Sequence, residues 1–403
     1  MSAPTTTVRL ALAAIFVAAG AGSGLAADRE ATGRWNLTVD TGTYKHPSWL
    51  AVKLKDTKAK DGKYIGEFLG GAGSVGDIGE VKVDGTKIEF SAHGNKWTGT
   101  IKGDTITGTR VNDKGDKSTW TGQRSVRKFD LTGKWHLKRS GAPVPHPPVL
   151  ELEQKGEKVT GKLTEGGKTV DITNASVKAG MFLGWTVVGQ SGRQEYRASV
   201  KGDVLEIFVI EGRRKYTLTG CRQREWGGPI ELFNGKDLNN WKPLGNVNDY
   251  KWKVIDGIMT NTGGGGSANI VSKETFRDFR MHVEFRVPQG GNSGVYLRGR
   301  HEIQISDSFG HPASWHVCGA LYSRIAPNVN AARKHGQWQT LDVTLIGPYL
   351  TAVHNGQVII DNEEIQGITG GAIDSKESEP GPIYLQGDHG RIEYRKITIW
   401  PAK

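Results

Sequence analysis

One segment of this chain occurs twice, and that limits the possible folds more than any other feature. ATGRWNLT at 31–38 returns as LTGKWHLK at 131–138, which places Trp35 and Trp135 100 residues apart. His46-Pro47 returns at the same offset as His146-Pro147, KGD at 102–104 returns at 201–203, and TGQR at 121–124 returns as TGCR at 219–222. A near-constant offset across several markers implies two copies of one structural unit. Within each copy, alternating runs such as VKVDGTKIEFSA and YRASVKGDVLEIFVI are parted by Gly and Asp turns, the period-two pattern of half-buried strands. Each copy is therefore predicted to be a small antiparallel barrel or sandwich. The first-strand Trp of each copy reads as core, and KGD reads as a hairpin turn before it reads as a binding motif.

The repeat ends near REWGGP at 224–229, where the composition changes. Ahead of it, Arg9 precedes the apolar run LALAAIFVAAGAG, and the small residues Gly24, Ala26 and Ala27 offer a cleavage site before Asp28. That run is too short for a bilayer span and has the form of a secretory signal peptide, which predicts an exported, periplasmic or extracellular product. The division that follows is a signal peptide at 1–27, β units at 28–128 and 129–225, and a larger domain at 229–403. Gly accounts for 56 of 403 residues, about twice the usual share, and is spread among strand-like runs, which favours a turn-rich all-β protein over disorder. From Pro229 onward 18 basic residues balance 18 acidic ones, so the formal charge of +11 resides in the first half. That half could bind a polysaccharide or cell-surface polymer. Its lysines alternate along strands without Arg-rich or aromatic-interleaved runs, which argues against nucleic acid, and no later stretch is long and apolar enough for a membrane span. Cys221 and Cys318 could pair in an oxidising compartment, or stand as two separately buried thiols.

Within the larger domain, the stretch from Glu284 to Asp307 has the plainest pattern. His282, Glu284 and Arg286 alternate with Val283, Phe285 and Val287, and Glu302, Gln304 and Ser306 alternate with Ile303 and Ile305. Pro288 and the glycines at 290, 291 and 294 suggest a turn presenting Asn292 and Ser293. A carboxylate, an amide and a hydroxyl in one row suit the wall of a solvated site. Glu284 and Arg286 read as partners of neighbouring strands, and Asn355-Gly356 reads as a type I′ hairpin turn.

LFNGKDLNNW, GGNSGVYLRG, EIQISD, CGALY, VHNG and GPIYLQGDHGRIEYRKITI occur in series after Pro229. Together they closely resemble the 3-keto-disaccharide hydrolase family, whose members are also described as 3-keto-glycoside lyases and hydratases. The resemblance implies a concanavalin-like jelly-roll sandwich for 229–403 and does not reach residues 28–225. Two motifs depart from the family pattern: LQGDHG stands where LQDHG is expected, and GQWQ at 336–339 stands where GEWN is expected.

The resemblance also implies an oxidised saccharide substrate. A ketone at C3 acidifies the hydrogen on C2, so a base can remove that proton and the C1 substituent can leave, after which water adds to the enone. Such a site needs a base, donors for the enolate oxygen and an acid for the leaving group. By residue type within the motifs, Glu302 or His389 is the candidate base and Arg298 the enolate stabiliser. Asn292, Gln304 and Gln386 suit hydrogen bonds to hydroxyls, while Tyr322 and Trp338 offer apolar faces and Tyr322 a possible acid. A divalent metal could replace Arg298, with His389, Glu302 and Asp307 as ligands; Asp307 could equally cap the turn DSFG. Two other functions compete: a non-catalytic sugar-binding protein on the same sandwich, and an ordinary glycosidase, which would need paired carboxylates where this chain has Glu302, Gln304 and Ser306.

Overall fold

The computed structural model describes residues 31–55, 63–125, 130–139, 147–178, 182–189, 192–245 and 247–403. The signal-peptide reading of 1–27 and His146 fall outside them. Among the described residues the chain forms two closed eight-stranded antiparallel barrels followed by two sheets of eight and five strands. The helical content there is a single 3-10 turn, Val247–Asp249, and no helix is long and apolar enough to cross a membrane.

The first barrel runs from the strand Gly33–Asp40 to the strand Lys117–Arg124, and the second from Gly133–Arg139 to Arg214–Arg222. Alternation sends the apolar half of each strand inward: Trp35, Phe68, Phe90, Trp97 and Trp120 fill the first barrel, and Trp135, Trp185, Tyr196 and Ile207 fill the second. The shared motifs make the same latch in both. In the first, Arg124 pairs in register with Trp35, lays its guanidinium 4.1 Å from the indole centre, and donates to Asp104 of the KGD turn at 2.8 Å. In the second, Arg222 pairs with Trp135 at 4.7 Å and donates to Asp203 at 2.8 Å. The first and last strands of each barrel are thus clasped by a cation over an aromatic face.

Beyond Pro229 the two sheets pack face to face. In the larger, the strand Glu393–Pro401 lies between Ile258–Asn261 and Phe279–Arg286, and also pairs with Ile230–Phe233. The smaller has the order Trp241–Leu244, Asn269–Ser272, Tyr384–Leu385, Asn292–Leu297, His301–Ser306. Phe279, Met281, Val283 and Phe285 from one sheet meet Val295, Leu297, Ile303 and Ile305 from the other in a common core. Each such side chain contributes about 1.5–3 kcal/mol by leaving water. Asn355 and Gly356 have φ of 51° and 81°, the type I′ turn read from the sequence, in a hairpin that pairs His354 with Gln357.

Both barrels dock on the sandwich. Trp49, Ala51 and Leu69 of the first pack against Ile368 and Ala372, Trp49 Nε1 donates to the Ile368 carbonyl at 3.0 Å, and Arg34 pairs with Glu377. Tyr349 Oη donates to the Val200 carbonyl of the second barrel at 3.2 Å. Cys221 is exposed, Cys318 is buried and both are free thiols, so there is neither a bridge nor a pair of buried thiols.

Candidate functional site

Strand parity assembles the site. On the smaller sheet Tyr296 lies opposite Glu302, Gly294 opposite Gln304 and Asn292 opposite Ser306, while Tyr384 lies opposite Tyr296 on the other side. With the apolar partners turned into the core, these residues share the sheet's outer face. Asn292 and Ser293 belong to the strand Asn292–Leu297 and not to the turn the glycines suggested; their backbone is committed to the ladder that aligns the row.

The row is sunk rather than solvated. Glu302 and Gln304 are 4% and 5% exposed, because neighbouring segments close over them. Tyr322 N donates to the Glu302 carbonyl at 2.9 Å and Gly319 N to the Gln304 carbonyl at 2.8 Å. Glu302 N donates to Thr369 Oγ1 at 2.9 Å. Gly294 supplies the space for the carboxyl: a Cβ there would stand 2.4 Å from Glu302 Oε1.

Glu302 has no cation beside it. Burial, followed by the charge of Asp388, drives its carboxyl up to about 8, against a hydrogen bond from Tyr296 that favours ionisation. Tyr296 Oη lies 2.9 Å from Glu302 Oε2 and 2.8 Å from the Gly370 carbonyl, and it has one proton to give. With Glu302 protonated both contacts are satisfied: Glu302 donates to Tyr296 and Tyr296 donates to Gly370. Tyr384 stacks on Tyr296 at 4.2 Å, and burial drives the phenols of both far above their ordinary range. The two tyrosines and Asp388 have no counterpart among the residues singled out from sequence. Tyr296 could have been found by its parity with Asn292 and its place opposite Glu302.

The remaining candidates divide. Gln304 Nε2 donates to Asn292 Oδ1 at 2.9 Å. Gln386 Oε1 and Ser306 Oγ are buried without a protein partner, which buried polar atoms seldom are. His389 is exposed, its Nδ1 2.7 Å from Asp388 Oδ1. Tyr322 meets His316 edge to face at 5.3 Å. Asp307 accepts from Gly290 N at 3.0 Å and lies 3.4 Å from His335 Nδ1, so it fixes a turn. With Ser306, Ser308, His311 and His316 it also lines an open hollow of about 330 Å³ at the end of the row, the size of a small ligand cleft.

Arg298 does not join them. It sits in the hairpin turn with φ of 53°, which sends its guanidinium to the Arg277 carbonyl at 2.5 Å, to Asp278 at 3.1 Å and to the Gly347 carbonyl at 2.8 Å. Asp278 also lies 3.5 Å from Arg224, which binds Asp203 of the second barrel, so Arg298 belongs to the junction with that barrel. Trp338 is misplaced as well. It lies on the outer face of the larger sheet, with Arg286 and Arg395 at 4.8 and 4.6 Å from its ring. As for a metal, no three His, Cys, Asp or Glu side chains among the described residues converge to hold an ion, and Glu302, His389 and Asp307 each bond elsewhere.

Residues 228–400 match the family model described as a 3-keto-alpha-glucoside-1,2-lyase-like domain. A 3-keto-disaccharide hydrolase of Bacteroides thetaiotaomicron is 26% identical over 164 residues, covering 32% of this chain and 56% of that protein. The chain thus spans about half the length of this curated relative. Two crystal structures of provisionally assigned glycosyl hydrolases from Parabacteroides distasonis also match. One is 32% identical over 42% of this chain and 82% of its own, with a TM-score of 0.37; the other is 22% identical over 43% and 93%, with a TM-score of 0.34.

Proposed function

Since residues 228–400 match the model of the 3-keto-alpha-glucoside-1,2-lyase-like domain, we propose that this chain cleaves 3-keto-glycosides by elimination across C2 and C1 followed by addition of water. The observation that carries the reading is Glu302, a buried carboxyl with no cation and a proton held to about pH 8. A purely sugar-binding face would leave that proton without a task; the row itself offers an ordinary glycosidase no second carboxyl, since Gln304 and Ser306 stand there, and the nearby Asp388 is bonded to His389.

In this reading His389, aligned by Asp388, takes the C2 proton. The electron pair moves to form the enolate and then the C1–C2 double bond, and the C1 oxygen leaves with the proton of Glu302. Water adds at C1 as C2 is reprotonated. Gln386 and Ser306 supply acceptors, and Gln304 and Asn292 the amides, that fix the sugar hydroxyls. Export remains part of the proposal, tested by the N-terminal sequence of the mature protein.

The test is to incubate the protein with a 3-keto-glucoside and with its unoxidised parent in deuterated solvent. Cleavage of the keto sugar alone, with deuterium at C2, is the expected result; equal cleavage of the parent would sink the mechanism. The two roles separate by leaving group. Glu302→Gln is expected to be rescued by a nitrophenolate, which departs without a proton, whereas His389→Ala should lose C2 exchange with either leaving group.

A further inference from the structure

Family likeness stops at residue 228, yet the first barrel reaches the site. Its segment from Leu69 to Val75 lies between two loops of the sandwich. On one side Ser74 Oγ is 3.5 Å from both Tyr322 Oη and His316 Nε2, and Val75 N donates to Ser323 Oγ at 3.0 Å. On the other side the Gly71 carbonyl accepts from Gly371 N at 3.2 Å. Gly370 fits because it lacks a side chain: a Cβ there would stand 2.4 Å from the Gly73 carbonyl oxygen. Trp49, 1% exposed, pins the same loop through Ile368. The opposite flank of this loop carries Thr369 Oγ1, which accepts from Glu302 N, and the Gly370 carbonyl, which accepts from Tyr296. A loop of the sandwich is therefore held between the barrel and the carboxyl that the proposed chemistry uses.

We propose that the first barrel is a working part of the sandwich's site: it presses the loop from Gly367 to Ile373 onto the hairpin below, so that the Gly370 carbonyl holds the Tyr296 hydroxyl and Tyr296 orients Glu302. Trp49 and Gly370 are then positioning residues acting from outside the reacting atoms. The inference rests on the reading of Glu302 as the proton-bearing group. The groups facing that carboxyl are Tyr296 and Tyr384 on the neighbouring strands and Asp388 from the turn beyond Gln386, while the segment that covers Glu302 meets its backbone through Tyr322 N. If the barrel lets go of the loop, Tyr296 loses Gly370 and turns its proton to Glu302, which favours the carboxylate.

The experiment follows the titration of the Glu302 carboxyl by infrared difference spectroscopy against Glu302→Gln, with no substrate present. Gly370→Ala, which drives the loop off Gly73, should lower that titration by about one pH unit. Trp49→Phe, which keeps the ring packing and removes the bond to Ile368, should lower it by less. Neither should move that titration further in a Tyr296→Phe background, where the relay is already cut. An unchanged titration in both variants, or a shift that persists without the Tyr296 hydroxyl, would overturn the proposal. Because the readout needs no turnover, its failure is distinct from failure on keto sugars, which would refute only the proposed reaction.

Discussion

Both outer faces of the sandwich carry glutamates in a strand row, and the two faces treat them in opposite ways. On the larger sheet Glu284 is bonded by Arg395 and lies 3.3 Å from His282 Nε2, while Glu393 accepts from Arg286 at 2.6 Å. Burial alone would push the Glu284 carboxyl up, but Arg395 and His282 outweigh it and hold it below the usual range. On the smaller sheet Glu302 is more deeply buried and meets two phenols and another carboxylate. A paired, partly buried carboxylate contributes to stability; an unpaired, fully buried one costs stability and persists where it has a use. Pairing, more than residue type, marks the face where chemistry is expected.

The sharpest way to break that contrast is to neutralise each carboxyl in turn. Glu302→Gln is expected to lower kcat/KM by about a hundredfold to ten-thousandfold on a substrate with a sugar leaving group, whereas Glu284→Gln should leave it within about twofold. Equal losses would mean that the faces do not differ in role. Next in size is Tyr296→Phe, which removes one hydrogen bond to the Glu302 carboxyl and should cost about tenfold to a hundredfold, read in kcat more than in KM.

A pH series sharpens the comparison through stability. The folded-state value for Glu302 is about 8 and the ordinary value 4.5, so the folded state binds the extra proton. Its stabilising effect is fully present below about pH 4.5 and is lost as pH rises through 8. The stability of Glu302→Gln relative to the parent protein should therefore climb across that window in urea titrations. Glu284 has the opposite sign: its contribution is present above the ordinary carboxylate range and is lost as pH falls, so the cost of Glu284→Gln should shrink in acid. The smallest effect belongs to Trp338→Ala, which should lower stability by about 1–2 kcal/mol through its two guanidinium contacts and leave sugar affinity unchanged; a loss of affinity in calorimetry would return Trp338 to the site.

Much of this was legible in the sequence where period two governs. The alternation of Glu302, Gln304 and Ser306 with Ile303 and Ile305 foretold which side chains share a face, and Asn355-Gly356 foretold its turn. Arg298 misled because a hairpin residue at positive φ does not follow its strand's parity, so its guanidinium goes to Asp278. Trp338 misled because which sheet it covers depends on Arg286 and Arg395, far apart in the chain. Thr369 and Gly370, 67 and 74 residues from the groups they hold, leave no local signal, since what selects them is the shape of the gap beneath the first barrel.

The strand Glu393–Pro401, set in the middle of the larger sheet, has a consequence for biogenesis. A nascent polypeptide threading out amino end first has both barrels able to close, each with its own arginine clasp, while the sandwich still lacks its central ladder. Until that strand arrives, Phe279–Arg286 presents an unsatisfied edge and an open apolar flank, the form in which chains associate wrongly.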